Sequence, residues 1–209
     1  MSQAAPAATS HSSASANDRL HALEAELRSL SARSLEHSTQ LEAMASVLQN
    51  AGQKDQLSMV VFSGSLDRLI AAFVLATGAA AMGMKVAMFF TFWGTSALRR
   101  PARVKKSPLE RMFGWMLPRG ARKLPLSQMN MAGGGPAMIR HIMKKKGVAS
   151  VEEMIELSKE LGVEINVCSM SMDLLGLKPE ELIDYPAMTY CGAAKFLETA
   201  APGKITLFL

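Results

Sequence analysis

Apolar positions follow two different rhythms along the chain. Up to residue 50 they recur in alternating steps of three and four: Leu20, Leu23, Leu27, Leu30, Leu41, Met44 and Leu48 share one seam, with Ser34 and His37 in its middle. Glu24, Glu26, Arg28, Arg33, Glu36 and Glu42 lie off that seam. Spacing of this kind stacks side chains along one side of a helix, so the pattern predicts a heptad-patterned helix over 18–50. The seam suits self-association as a coiled coil, or packing of a single amphipathic helix on a neighbouring domain. Residues 1–17 are rich in alanine and serine and predict a disordered tail. "NAGQKDQ" (50–56) reads as a polar hinge.

From Leu57 onward, short apolar runs alternate with amphipathic ones. "LSMVVF" (57–62), "KVAMFF" (85–90), "VEINVC" (163–168) and "KITLFL" (204–209) are too short for helices and read as buried strands. Helices are predicted for "LDRLIAAFVLATGAAAM" after an N-cap at Ser65, and for "AMIRHIMKKK" after "GGGP". Two more follow: "VEEMIELSKEL" behind a capping box of Ser150 and Glu153, and "GAAKFLETA" near the end. "PEELI" also reads as helical, and Gly83 and Gly162 mark helix ends. The apolar region 69–90 is long enough to span a bilayer. Gly78, Gly83 and Lys85 interrupt it, however, and it changes from alanine-rich to aromatic, which predicts helix, turn and strand inside a core. Alternation of strands and helices builds a mainly parallel sheet with helices on both faces. The fold class is therefore α/β, a three-layer sandwich over 57–209 preceded by the heptad helix and carrying a basic insert at 99–125.

Composition narrows the chemistry. Of 209 residues 49% are hydrophobic, and the net charge is +5. Two cysteines, Cys168 and Cys191, are too few for a disulfide scaffold and fit a reducing compartment. No secretory pattern opens the chain, so a cytoplasmic location is expected. Chemistry in parallel α/β sheets collects beyond the carboxyl ends of the strands. Phe62-Ser63-Gly64, Thr91-Phe92-Trp93-Gly94 and Cys168-Ser169-Met170 all fall there, which predicts a rim built from Ser63, Gly64, Phe92, Trp93, Gly94 and Cys168. A thiol at that rim faces a cleft and the amides of the following turn, and both lower its pKa. Ser169 to Met172 supply those amides. Ser169 and Ser171 add hydroxyls, while the thioethers of Met170 and Met172 suit a polarizable sulfur atom.

No histidine pairs with a cysteine at metal-ligand spacing, so no metal or other cofactor is expected. The soft set Cys168, Met170 and Met172 makes copper(I) the minor alternative. "MAGGGPAM" (131–138) lacks the lysine and hydroxyl of a phosphate loop. Residues 99–123 carry nine Lys or Arg against one Glu, interleaved with Met112, Phe113, Trp115, Met116 and Leu117. Three functional readings suit such an insert: a lid, a docking surface for an acidic partner, or a shallow membrane anchor. A solvated basic loop is the plain alternative. Arg99, Arg100, Arg103, Lys105, Lys106, Trp115, Arg119 and Arg122 are the candidate docking residues. No base-reading module accompanies them, so nucleic acid is not an expected partner.

"VVFSGSLDRLIAAFVLATGAAAMGMKVAMFFTFWGTSALRR", "LERMFGWMLPRGARKLPLSQMNMAGGGPAMIRHIMKKKGV" and "CSMSMDLLGLKPEELID" resemble the DsrE/DsrF/DsrH-like sulfur-relay family, in the DsrE-like branch often labelled peroxiredoxin-like. "FFTFWG" and "CSMSMD" are the most specific words, and the likeness runs from about Leu57 to the end. It implies a flavodoxin-like sandwich that forms homo-oligomers. It also implies a sulfur carrier whose Cys168 holds sulfane sulfur as a persulfide, with rhodanese-like and TusA-like proteins as partners. Cys191 stands where the family usually has glycine or another small residue. It is a candidate resolving thiol or a packed side chain. The competing reading is an oligomeric scaffold or membrane-surface protein that uses the heptad helix and basic insert without thiol chemistry. Turnover as an enzyme is left open.

Overall fold

The computed structural model describes residues 10–51, 54–102 and 104–209, with the side chains of the first helix described over 19–45. Two compact units divide at residue 52. The first is helix α1 (Ser10–Ala51), which begins ahead of the 18–50 span expected from the heptads. Leu20, Leu23, Leu27, Leu30, Leu41 and Met44 of the seam are all exposed in the single chain. Leu48 lies outside the described side chains, and part of the expected tail, residues 1–9, lies outside the described residues altogether.

The second unit is an α/β fold around a five-stranded, all-parallel sheet. Its strands are β1 (Lys54–Val61), β2 (Lys85–Phe90), β3 (Glu164–Cys168), β4 (Met188–Cys191) and β5 (Gly203–Phe208), in the spatial order β4-β3-β2-β1-β5. Helix α2 (Leu66–Ala81) returns the chain from β1 to β2, as the sequence predicts, and Gly83 turns it with φ +84°. The long apolar region is therefore core, because its alanine-rich half packs on the sheet that its aromatic half enters. Among the described residues no helix is long and apolar enough to cross a membrane. The capping box at Ser150 and Glu153 opens α5 (Val151–Glu160), with both reciprocal hydrogen bonds formed. "PEELI" supplies only a 3-10 turn over Pro179–Glu181, where a longer helix was expected. Strand β4 is the strand that periodicity missed.

Neighbouring residues of a strand point to opposite faces, so the sheet sorts its side chains into two layers. On one face Met59, Val61, Met88, Phe90, Ile165 and Val167 pack with Leu69, Ala72, Phe73 and Ala76 of α2 and with Met154 and Ile155 of α5. Each large side chain buried there contributes roughly 1.5–3 kcal/mol. The other face is thin. Phe89, Cys168, Phe196 and Ala200 form a small separate cluster, with Val60 and Cys191 packed against it. Phe196 and Ala200 belong to α7 (Ala193–Ala200), and the Phe196 ring stacks on Phe89 at 4.8 Å between centroids.

The described residues of the basic insert pack around a buried charge cluster. Ser107 and Glu110 form a capping box that opens α3 (Pro108–Met116). Arg99, 4% exposed, donates to the carbonyls of Gly114, Leu117 and Pro118 and pairs with Glu181 at 3.4 Å. Lys106 is buried too and pairs with the same carboxylate. Burial pushes the Glu181 carboxyl up. Lys106, the Lys178 amide and Arg99 outweigh that and hold it below the ordinary range. Arg99 and Lys106 are therefore corrected from docking residues to fasteners: a cation at a helix C-terminus satisfies carbonyls that lack intrahelical partners. Arg100 is exposed but also tied back, its amide donating to the Glu181 carbonyl and its Nε to that of Glu180. Lys105, Trp115, Arg119 and Arg122 remain exposed, with Arg122 3.7 Å from Glu152, while Arg103 lies outside the described residues.

Candidate functional site

Strand β3 ends on Cys168, and the chain turns at once into α6 (Ser169–Leu175). The Ser171 side chain folds back under the turn, fully buried, and its hydroxyl lies 2.7 Å from that of Thr91 at the end of β2. Both hydroxyls and the amides of Met170 and Ser171 act on the Cys168 sulfur. Burial pushes the thiol up, but the Ser171 hydroxyl and amide, the Thr91 hydroxyl and the Met170 amide more than offset it. The net shift is downward, toward the thiolate. Hydrogen bonds to the charged form explain this, since each is stronger to the thiolate than to the weakly accepting thiol.

One expectation needs correcting. Cys168 is only 3% exposed in the single chain rather than open to a cleft. It is buried in the thin-face cluster with Phe89 of β2 and with Phe196 and Ala200 of α7. An 810 Å³ cleft does exist between the end of α4 (Gly134–Lys146) and the start of α5, lined by Arg122, Arg140, Lys144 and Glu152 among others. It contains Arg122 but none of the expected rim residues. The hydrogen-bonded thiol lies outside that cleft.

The rim residues divide by role. Gly64 and Gly94 are where two strand ends close on each other. A Cβ on Gly64 would sit 2.6 Å from the Trp93 carbonyl oxygen, and one on Gly94 would collide with that of Val61. Both glycines therefore serve backbone approach. Phe92 takes a left-handed backbone, φ +45°, and its ring packs 5.3 Å from Phe62. Ser63 bonds to Ser65 at 2.8 Å, and Trp93 is half exposed. Around Cys168 itself the structure gathers Ser171 and the Met170 amide from the expected set. Ser169 and the Met170 side chain are exposed, whereas Met172 packs into the thick core. Cys168, Met170 and Met172 therefore send their sulfurs to three different surroundings. Among the described residues no three His, Cys, Asp or Glu side chains gather as a metal would require.

Asn166 and Phe196 were missed from the sequence, and Thr91 was placed at the rim without a role. Thr91 carried a readable signal, as the first residue after a predicted strand. Asn166 and Phe196 did not, because their role depends on β4 pairing with β3 and on α7 packing on that face of the sheet. That pairing also sets the position of Cys191. It is the register partner of Cys168 across β3 and β4, so both thiols stand on one face, and it is part-exposed and free. Burial and the neighbouring Cys168 charge push its thiol up, with Lys195 opposing.

Comparison with known proteins agrees over the same span. The sequence model of the DsrE/DsrF/DrsH-like family matches residues 53–208. The YrkE protein of Bacillus subtilis is 46% identical over 159 residues, covering 75% of this chain and 98% of its own. The sulfur carrier protein DsrE2 of Allochromatium vinosum is 37% identical over 161 residues, covering 75% and 99%. Among solved structures, the YchN protein of E. coli covers 75% of this chain and 99% of its own at 13% identity, with a TM-score of 0.43. On the family match over three-quarters of its length, the chain belongs to the DsrE/DsrF/DrsH-like family.

Proposed function

We propose that this protein is a sulfur carrier that holds sulfane sulfur as a persulfide on Cys168 and passes it between partner proteins. The observation that carries the reading is the set of donors from Thr91, Met170 and Ser171 around a thiol at a strand end. They favour the thiolate that must attack a sulfane donor, and they stabilise the same thiolate when it leaves. The relative named a sulfur carrier protein supports the class of cargo. Rhodanese-like donors and TusA-like acceptors are the partners proposed, in the cytoplasm. Homo-oligomers are proposed too, since the α1 seam leaves its leucines uncovered. Incubation with inorganic polysulfide, removal of excess and intact mass measurement test the reading. Wild type is expected to retain one added sulfur through gel filtration, carried on the Cys168 peptide after digestion. No retained sulfur in wild type sinks the proposal.

A second reading has its own observation. Leu109, Met112, Trp115 and Met116 are exposed along α3, beside Lys105, Arg111 and Arg119. An amphipathic helix with that rim suits an acidic partner or an anionic membrane surface. Cosedimentation with anionic vesicles, lost in Trp115→Ser, separates the membrane case from the protein case.

A further inference from the structure

A carrier thiol that is 3% exposed poses a problem of access, because a protein-bound donor cannot bring its sulfur to a sealed side chain. The sheet supplies an answer one strand away. Cys191 ends β4, which is an edge strand, and pairs in register with Cys168, which ends β3. Register partners on adjacent strands sit about 4.8 Å apart and point the same way. Cys191 packs against the cluster that contains Cys168, yet retains part of its surface in solvent. Its Sγ–H points to the Asn166 Oδ1, 3.9 Å away, which also accepts from the Thr189 hydroxyl at 2.6 Å. Lys195, from the first turns of α7, acts on the same sulfur with a positive charge. A thiol between solvent and the buried site, with an amide beside it and a cation near it, is a port.

Resting on the carrier reading, we propose that Cys191 is a second sulfur-carrying residue through which sulfane sulfur enters and leaves Cys168. In loading, the Cys168 thiolate attacks the outer sulfur of a Cys191 persulfide. A new S–S bond forms at Cys168, the S–S bond at Cys191 breaks, and the Cys191 thiolate leaves and takes a proton from water. The hydrogen on the transferred sulfur travels with it. The sulfane sulfur keeps its oxidation state throughout, so the step needs neither oxidant nor reductant. Delivery is the reverse: Cys191 loses its proton to water, attacks the outer sulfur on Cys168, and expels a thiolate held by Ser171, Thr91 and the Met170 amide. This differs from a resolving role, in which Cys191 would attack the inner sulfur, form a Cys168–Cys191 disulfide and release sulfide.

The test follows the sulfur in time on the full chain. Protein is mixed with a limiting amount of inorganic polysulfide, quenched with an alkylating agent at intervals, and digested to locate the added sulfur by peptide mass. The expected order is Cys191 persulfide first, then Cys168 persulfide as the first declines. In Cys191→Ser, loading of Cys168 is expected to slow at least tenfold, while its alkylation by iodoacetamide is not slowed. Cys191→Ala is the second variant should the serine disturb folding, and circular dichroism checks both. Equal loading rates in wild type and variant overturn the port, as does sulfur found first on Cys168 or a Cys168–Cys191 disulfide with free sulfide. The carrier reading survives equal rates and sulfur found first on Cys168. It fails only if the wild type keeps no sulfur at all.

Discussion

The two faces of the sheet make unequal layers. One carries Phe73, Phe90, Met88 and Ile165 in a core sealed by α2 and α5. The other has a four-residue cluster under α7, and both thiols lie on it. The difference separates stability from access. A face closed by two long helices opens only with global unfolding, whereas one closed by eight residues of α7 can open locally at lower free energy. Chemistry on a buried sulfur needs the second kind. The donors come from Thr91, just after β2, and from Ser171 in α6, so neither belongs to α7.

Removing Phe73, completely buried on the thick face, is expected to have the largest effect. Phe73→Ala should cost about 3–5 kcal/mol in denaturant unfolding. A cost near 1 kcal/mol would mean that the thick core is not what holds the domain. Phe196→Ala, its counterpart on the thin face, should cost less, about 2–3 kcal/mol, because a cluster of four buried residues holds fewer neighbours around the gap. Its larger signature is kinetic. Lowering the local opening free energy by about 1.4 kcal/mol exposes Cys168 tenfold more often, read as faster iodoacetamide labelling. If Cys168 stays equally protected, α7 is not its cover.

Smaller effects sharpen the same contrast. Ser171→Ala removes a buried hydroxyl that serves both Cys168 and Thr91, at about 1 kcal/mol of stability. It should also raise the pH at which Cys168 becomes reactive. The sign follows from the direction of each shift. Cys168 lies below the ordinary thiol value, so its thiolate persists as pH falls until that lowered value is crossed, and with it the stability it contributes. Cys191 lies above, so it stays protonated to higher pH. Labelling each thiol against pH should give the lower midpoint to Cys168 in wild type and a narrower gap in Ser171→Ala. An unchanged gap would remove the hydroxyl from the account. Trp115→Ser, on the exposed face of α3, should stay within about 0.5 kcal/mol of wild type.

Much of this was legible in the chain. Strands over 85–90 and 163–168, the α2 turn at Gly83 and the Ser150 capping box are local, and local patterns state them outright. The Ser107–Glu110 box was equally readable, yet the proline after Ser107 and the run of cations around it made the insert look irregular. "MTYC" was not readable as a strand, since four residues between "YPA" and Gly192 carry too little alternation to separate strand from loop.

By itself, the sequence determined a parallel α/β domain with a cysteine at the end of one strand, because strand and helix periods and their caps are written in consecutive residues. Tertiary structure alone decided that Arg99 and Lys106 would turn inward to Glu181, that Phe196 and Ala200 of α7 would share a buried cluster with Cys168, and that Cys191 would stand beside it. Those outcomes depend on pairings between residues far apart in the chain: the register of β3 with β4, and buried charges finding a carboxylate some eighty positions away. Such pairings have no period to read, only a geometry in which unpaired charge and open sheet edge cost too much to leave uncovered.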